Sequence, residues 1–96
     1  MRVSKNLPLV QQLIDSFEEC GGEVHLNHIR LGDPIEIVNV RNPVQAFTKV
    51  SLVTKDKSYE GWALCVKGDS FCKAVGTEIA FTRAMHALFH DLNGNV

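Results

Sequence analysis

The chain has 96 residues, a length typical of one small domain. Hydrophobic residues make up 45% of the sequence and charged residues 22%, a balance that excludes a disordered chain. Ten basic and eleven acidic side chains give a formal net charge of -1, which disfavours a dedicated duplex-binding protein. No apolar run reaches the roughly 20 residues that a membrane span needs.

The first predicted element is a short N-terminal helix. Asn6 is the predicted cap, Pro8 lies in the first turn where its missing amide is harmless, and Cys20–Gly22 ends the helix. Apolar side chains recur at helical spacing and form one stripe: Leu7, Val10, Leu13, Ile14 and Phe17. The opposite side carries mainly glutamine and acidic residues. It is interpreted as a solvated face or as a docking surface for a basic partner.

Extended stretches separated by turns follow the first helix. The strand-like stretches cover Glu23–Ile29, Ile35–Val40, Phe47–Thr54 and Tyr59–Val66. The breaks between them lie at Gly32–Pro34, Arg41–Pro43 and Lys55–Ser58. Whether Val44 to Phe47 belongs to a strand or to a helical turn stays open. We therefore predict one α+β domain over residues 1–96, with an antiparallel sheet of three or four strands between two helices in the sequence.

The last predicted strand has two faces of different size. Large side chains, Trp62, Leu64 and Val66, share one face. The other face carries smaller residues as well as a tyrosine: Tyr59, Gly61, Ala63 and Cys65. The smaller face is where a helix can approach closely.

The long C-terminal helix is predicted over Phe71–Leu92, capped by Asp69 or Ser70 and about 30 Å long. Its predicted core face is Phe71, Val75, Ile79, Thr82, Met85, Phe89 and Leu92. A second strip carries small residues, and a helix that is apolar on nearly all sides is either buried or partly covered by another molecule. The predicted protein-binding residues, for a partner protein or a second copy, are Gly76, Ala80, Arg83, Ala84 and Ala87.

Four short segments carry a recurring pattern within the quarter of the chain from Gly61 to Ala84: Gly61–Cys65, Asp69–Lys73, Gly76–Ala80 and Arg83–Ala84. Together they resemble a family of small, mostly uncharacterised bacteriophage-encoded proteins. The family pattern is a strand ending in Ala-x-Cys, a turn with Asp-x-Phe-x-Lys, then Gly-basic-x-Ile-Ala and Arg-Ala. Thr77 stands where that pattern usually has a basic residue. The resemblance implies a phage or prophage setting, and hence the cytoplasm of a bacterial host, rather than an activity.

The predicted order of elements is also similar to the double-stranded RNA-binding domain. That family places lysines at the start of its last helix, where they meet phosphates. Lys67 and Lys73 lie in this neighbourhood, but Phe71 and Cys72 stand where lysines are expected. The predicted nucleic-acid-binding residues are Lys55, Lys57, Lys67 and Lys73. The alternative interpretation of these lysines is ordinary surface charge in loops.

Signals for catalysis and for metal binding are weak. His86 and His90 are neighbours on one helix face, but no carboxylate lies between them as in a helical zinc site. The three cysteines show no paired spacing, which indicates a reducing compartment, and they are interpreted as small buried hydrophobes. We predict no catalytic residue, no metal, no cofactor and no enzymatic activity.

Two functions remain in competition at this stage. The first is a small phage-type accessory protein that binds a host protein or complex and modulates or inhibits it. The second is a nucleic-acid-binding module that contacts phosphates through the four lysines. The near-neutral charge and the surplus apolar surface of the last helix favour the first function, with a homodimer as a further expectation.

Overall fold

The computed structural model describes residues 1–68 and 72–94 of the chain. Its elements are α1 (Pro8–Glu19), β1 (Glu23–Ile35), β2 (Val44–Val53), β3 (Ser58–Val66) and α2 (Lys73–Gly94). The strands form one antiparallel sheet in the order β1-β2-β3. Both helices contribute to one hydrophobic core on the same face of this sheet. The predicted α+β class and the order helix, strands, helix are confirmed, with three strands.

Helix α1 begins at Pro8, and its N-cap is Leu7 rather than the predicted Asn6. No side chain caps this end, and the Leu7 carbonyl accepts the first helical bond from the Gln11 amide at 3.0 Å. The predicted end is confirmed, because Gly21 takes a positive φ of 90°, a conformation that glycine adopts without steric cost. Val10 and Ile14 of the predicted stripe are buried, which anchors α1 over the sheet.

Strand β1 runs straight through the turn predicted at Gly32–Pro34, so that prediction is wrong. Pairing with β2 is regular up to Arg30 and resumes at Ile35 after an irregularity. Pro34 lies inside this irregularity, where a residue without an amide proton is tolerated because no ladder bond is required of it. No separate strand covers Ile35–Val40: after Ile35 the chain enters the β1–β2 loop. The segment from Val44 to Phe47, left open by the sequence, is strand.

Strand β3 lies against α2 through its face of small residues, as predicted. Gly61 and Ala63 on this face are buried. A Cβ atom added to Gly61 would lie 1.9 Å from the Ala80 carbonyl oxygen and 2.4 Å from the Ala84 amide nitrogen. The backbones of β3 and α2 therefore touch directly, which only glycine on the strand and small residues on the helix permit.

The buried face of α2 is not the predicted one. It consists of Thr77, Ala80, Phe81, Ala84 and Leu88. Four members of the predicted core face are instead 39% to 57% exposed: Val75, Ile79, Phe89 and Leu92. Thr82 is also exposed, and Met85 is half-buried. The helix turns its alanines inward because close backbone approach to Gly61 leaves no room for larger side chains. The predicted cap residues Asp69 and Ser70, and Phe71 of that face, lie outside the described residues.

The cysteines are not the buried hydrophobes that were predicted. Cys20 and Cys72 are exposed, Cys65 is half-buried, and all three are free thiols. Among the described helices, none combines the length and the apolar character needed to cross a bilayer.

Candidate protein-binding surface

The sheet face opposite the helices carries a row of apolar side chains that crosses all three strands. In the strand register Phe47 pairs with Ile29 on one side and with Leu64 on the other. In the next row Lys49 pairs with Trp62. Ile35 and Ile37 extend the apolar region toward the β1–β2 loop. The name "sheet patch" is used below for Ile29, Ile35, Ile37, Phe47, Trp62 and Leu64.

The sheet patch is open to solvent. Phe47 is half-buried, and the other five side chains are 38% to 50% exposed. An antiparallel sheet covered by helices on one face ordinarily presents polar side chains on the other. The contiguous group of large apolar side chains in that position makes this sheet face the candidate surface for binding another molecule.

Trp62 lies at the centre of several contacts. Its ring centroid is 5.1 Å from that of Phe47, and the two ring planes are inclined at 49°. The Lys49 Nζ atom lies 5.2 Å from the Trp62 ring centroid and 3.2 Å from Glu60 Oε1. Arg83 of α2 donates a hydrogen bond from Nη1 to the Trp62 carbonyl oxygen at 2.6 Å. Phe47 and Lys49 contact the indole ring itself, and Arg83 holds the backbone of the same residue, so the conformational freedom that Trp62 has left to lose when a partner binds is reduced.

A groove of about 380 Å³ adjoins the aromatic pair. Its lining is apolar apart from one arginine: Leu31, Ile35, Ile37, Val44, Phe47, Trp62, Leu64 and Arg83. Tryptophan and arginine are the side chains most enriched among residues that dominate protein–protein binding energy. The groove is therefore suited to an apolar anchor side chain of a protein, with Arg83 at its rim as a polar contact.

The predicted protein-binding residues are mostly inside the molecule, which contradicts the expectation that they form a docking strip. Ala80 and Ala84 have no exposed surface, because they pack against Gly61. Gly76 is half-buried, and a Cβ there would lie 2.5 Å from Thr48 Oγ1. Ala87 is half-buried as well. Of the five, Arg83 alone is exposed, and it belongs to the rim of the groove.

The four predicted nucleic-acid-binding lysines do not form one patch. Lys57 precedes β3 and its Nζ bonds to Asp91 Oδ2, near the end of α2, at 2.9 Å. Lys67 follows β3, and Lys73 begins α2. Nine strand residues separate Lys57 from Lys67, which corresponds to about 30 Å. Lys55 lies in the same loop as Lys57, so the lysines form two pairs at opposite ends of the sheet.

The ion pair of Lys57 is part of a small hydrogen-bonded cluster. The Tyr59 hydroxyl also donates to Asp91 Oδ2, at 2.5 Å. The hydrogen bond from Tyr59, followed by the one from Lys57, lowers the pKa of Asp91 below its ordinary value. The same bonds raise the pKa of Tyr59 and of Lys57. The cluster ties the β2–β3 loop to the end of α2 and engages Lys57 within the molecule.

Histidines do not form a recognisable chemical site. His28 Nδ1 lies 2.9 Å from Thr48 Oγ1, and burial, followed by the charge of Lys73, lowers the pKa of His28. His86 and His90 are exposed on α2. Within residues 1–68 and 72–94, no group of three or more histidine, cysteine, aspartate or glutamate side chains is placed to hold a metal ion.

Sequence reasoning missed Ile29 and Phe47 as surface residues. The sequence does contain an indication of this surface. Its alternation puts Trp62, Leu64 and Val66 on one face of β3 and the small residues that receive the helix on the other. A strand with one face toward a helix and large apolar side chains on its second face exposes an apolar surface unless a second layer packs on it. Register with β2 then adds Phe47 to the same surface.

Comparison with protein-family models, with curated proteins and with solved structures finds no match to the chain.

Proposed function

We propose that this chain is a small phage-type accessory protein that binds a protein or complex of a bacterial host through the sheet patch and thereby modulates or inhibits it. The observation that carries the proposal is the exposed apolar row through Phe47, Trp62 and Leu64 on the sheet face opposite the helices. The phage setting is supported by the sequence resemblance described above. The near-neutral net charge of the chain suits a protein partner better than a polyanion.

A simple estimate shows what the partner must supply. Fully burying one large apolar side chain contributes about 2 kcal/mol, so covering the exposed part of the five open side chains contributes about 4 kcal/mol. Association costs at least about that much in lost rotational and translational freedom. A flat apolar cover is therefore not enough for stable binding. The partner must also insert an anchor into the groove and hydrogen-bond at the Arg83 rim.

The proposal is tested by affinity capture from a bacterial host lysate with the wild-type chain and with Leu64→Lys. Leu64 is 42% exposed, so the substitution leaves the core unchanged, and we expect it to weaken capture of a specific protein by about tenfold or more. Leu9→Lys is the matched control, because Leu9 is 65% exposed on α1. It introduces the same charge on the helix side and should leave capture unchanged.

Two outcomes would count against the proposal. The first is a wild-type capture in which no host protein is enriched over a bead control. The second is equal loss of capture by the Leu64 and Leu9 variants, which would show that added charge, not the sheet patch, decides binding.

Nucleic-acid binding stays the second candidate, on a smaller surface than expected. The Lys67 amide donates to the Pro43 carbonyl oxygen at 2.7 Å, which places Lys67 beside the β1–β2 loop that carries Arg41. Lys73 is close enough to His28 to lower the pKa of that imidazole. Two or three cations support only weak, strongly salt-dependent binding of a phosphate backbone.

A gel-retardation assay with duplex RNA and duplex DNA in moderate salt tests this second candidate. Reversal of Lys67 and Lys73 to glutamate should abolish retardation, whereas Lys55→Glu at the opposite end of the sheet should leave it intact. If the wild-type chain retards neither duplex, the nucleic-acid candidate is excluded.

A further inference from the structure

Strand β3 is an edge of the sheet, and backbone hydrogen-bonding groups line its outer side. Within the described residues, the sheet order β1-β2-β3 leaves no strand beyond β3. The Thr54 amide donates to the Lys57 carbonyl oxygen at 2.8 Å, which makes these residues a hydrogen-bonded pair at the β2–β3 turn. Because bonded and non-bonded pairs alternate along an antiparallel ladder, the register directs the backbone groups of Tyr59, Gly61 and Ala63 toward β2. The residues that alternate with these direct their backbone groups outward: Ser58, Glu60, Trp62 and Leu64.

A contact from α2 supports this assignment of the outward groups. Arg83 Nη1 donates to the Trp62 carbonyl oxygen at 2.6 Å, so this oxygen is reached from beyond the edge of the sheet. The guanidinium stands where a neighbouring strand would supply an amide. The outward backbone groups of Glu60 and Leu64 have no hydrogen-bond partner among the described residues.

The outward groups of β3 are complementary to another extended backbone. They recur at every second residue, about 7 Å apart, and a chain in β conformation presents matching groups at this spacing. Trp62 and Leu64, which are 40% and 42% exposed, belong both to this outward row and to the sheet patch. Side chains directly opposite each other in a ladder point to the same face. An added strand would therefore place alternate side chains beside Trp62 and Leu64.

The other edge strand, β1, is less suited to pairing. Its register with β2 is interrupted between Arg30 and Ile35, and Pro34 lies in the interruption. Irregularities and prolines of this kind prevent an edge from accepting a further strand. Before the interruption, β1 carries a single side chain of the sheet patch, Ile29.

We propose that the outer edge of β3 receives an extended segment of the partner protein as a fourth strand, with apolar side chains at alternate positions. This inference rests on the proposed function and names the form of the bound segment. The row from Ser58 to Leu64 is about 20 Å long, so a segment of about seven residues covers it. The incoming backbone takes over the Trp62 carbonyl oxygen from Arg83, whose guanidinium then binds a polar group of the partner. Main-chain hydrogen bonds thus add affinity that a flat apolar cover lacks.

Host-lysate capture with two variants of Glu60 tests the strand addition. Glu60→Pro removes the outward amide and leaves the ladder intact, because Glu60 does not bond to β2; circular dichroism verifies the fold. Glu60→Ala is the matched control, since both variants lose the ion pair with Lys49 and only proline loses the amide. We expect Glu60→Pro to weaken capture by about tenfold or more and Glu60→Ala to leave it unchanged. Capture that Leu64→Lys abolishes and Glu60→Pro leaves intact would overturn the strand addition and keep the proposed function.

A peptide titration of the wild-type chain, followed by amide NMR, tests the edge without a host protein. The probe is a synthetic peptide of the length given above, with valine alternating with threonine and aspartate. Its control has the same composition with the valines grouped at one end. We expect the probe alone to shift the Glu60, Trp62 and Leu64 amides and to slow their exchange with solvent.

The titration separates failure of the edge from failure of the proposed function. No response of these amides, or an equal response to the control peptide, would contradict the strand addition. Slowed exchange on concentrating the chain alone would show that a second copy occupies the edge, which also contradicts it. Probe binding together with a lysate that yields no enriched protein would refute the proposed function and retain the edge as a strand-binding site.

Discussion

Substitution of Gly61 by alanine tests how closely α2 lies on β3. The added methyl group would lie 1.9 Å from the Ala80 carbonyl oxygen, whereas ordinary contact begins at 3.4 Å, so strand and helix must separate by about 1.5 Å. The obstructing atoms belong to the helix backbone and cannot rotate away. A separation of that size removes most of the dispersion contact between the facing groups. Overpacking costs about 1–3 kcal/mol, and the backbone clash places Gly61→Ala near 3 kcal/mol.

Thermal and urea unfolding followed by circular dichroism measure this effect. For a domain of this size, 3 kcal/mol corresponds to a fall in melting temperature of about 12–24 °C. Gly32→Ala is the matched control, because nothing lies within 4 Å of a Cβ at Gly32. We expect that control to change stability by less than about 1 kcal/mol. If the free energy of unfolding of Gly61→Ala is within about 0.5 kcal/mol of the wild-type value, the close contact between β3 and α2 is refuted.

Two further predictions concern stability. Hydrogen bonds from Tyr59 and Lys57 lower the pKa of Asp91 in the folded chain. The carboxylate therefore stabilises the fold at pH values above the ordinary aspartate pKa, and this stabilisation is lost as the pH falls through the lowered pKa. Asp91→Asn should therefore reduce the free energy of unfolding at neutral pH, and the difference should vanish in strong acid; a difference that is constant with pH would contradict the cluster. Ala84→Arg should cost more than about 3 kcal/mol, because Ala84 is completely buried and the new charge has no partner there. A soluble Ala84→Arg variant with wild-type unfolding behaviour would show that the alanine strip is open to solvent.

The sequence predicted the elements of this fold because their signals are local. Hydrophobic spacing identified α1 and α2, and the polar loop at Lys55–Ser58 identified the hairpin between β2 and β3. The end of α1 followed from glycines that adopt a positive φ without strain. The strand through Gly32–Pro34 was missed because β1 is held by pairing with β2 on both sides of this segment, up to Arg30 and again at Ile35. These non-local contacts override the local turn preference of glycine and proline.

The faces of α2 could not be assigned from the helix alone. A hydrophobicity projection places the largest side chains inward, so it selected the side with Val75, Ile79 and Phe89. The structure reverses this assignment, because Gly61 on β3 brings the helix so close that only Ala80 and Ala84 fit. Gly61 was recognised on a small strand face and the alanines on a small helix strip. The sequence interpretation did not place Gly61 against these alanines. Had it done so, it would have predicted the exposed apolar surface on the opposite side of α2 and on the sheet patch.

Site-specific photo-crosslinking is the most direct measurement of the central claim that the sheet patch binds a host protein. A photoreactive phenylalanine derivative is placed at Leu64 in the sheet patch or, as a control, at Gln12 on the exposed side of α1. The Leu64 position should give a crosslink to a discrete host protein, and unlabelled wild-type chain in excess should abolish it, while the Gln12 position gives none. The account is contradicted if Leu64 yields no specific crosslink or if Gln12 yields the same one.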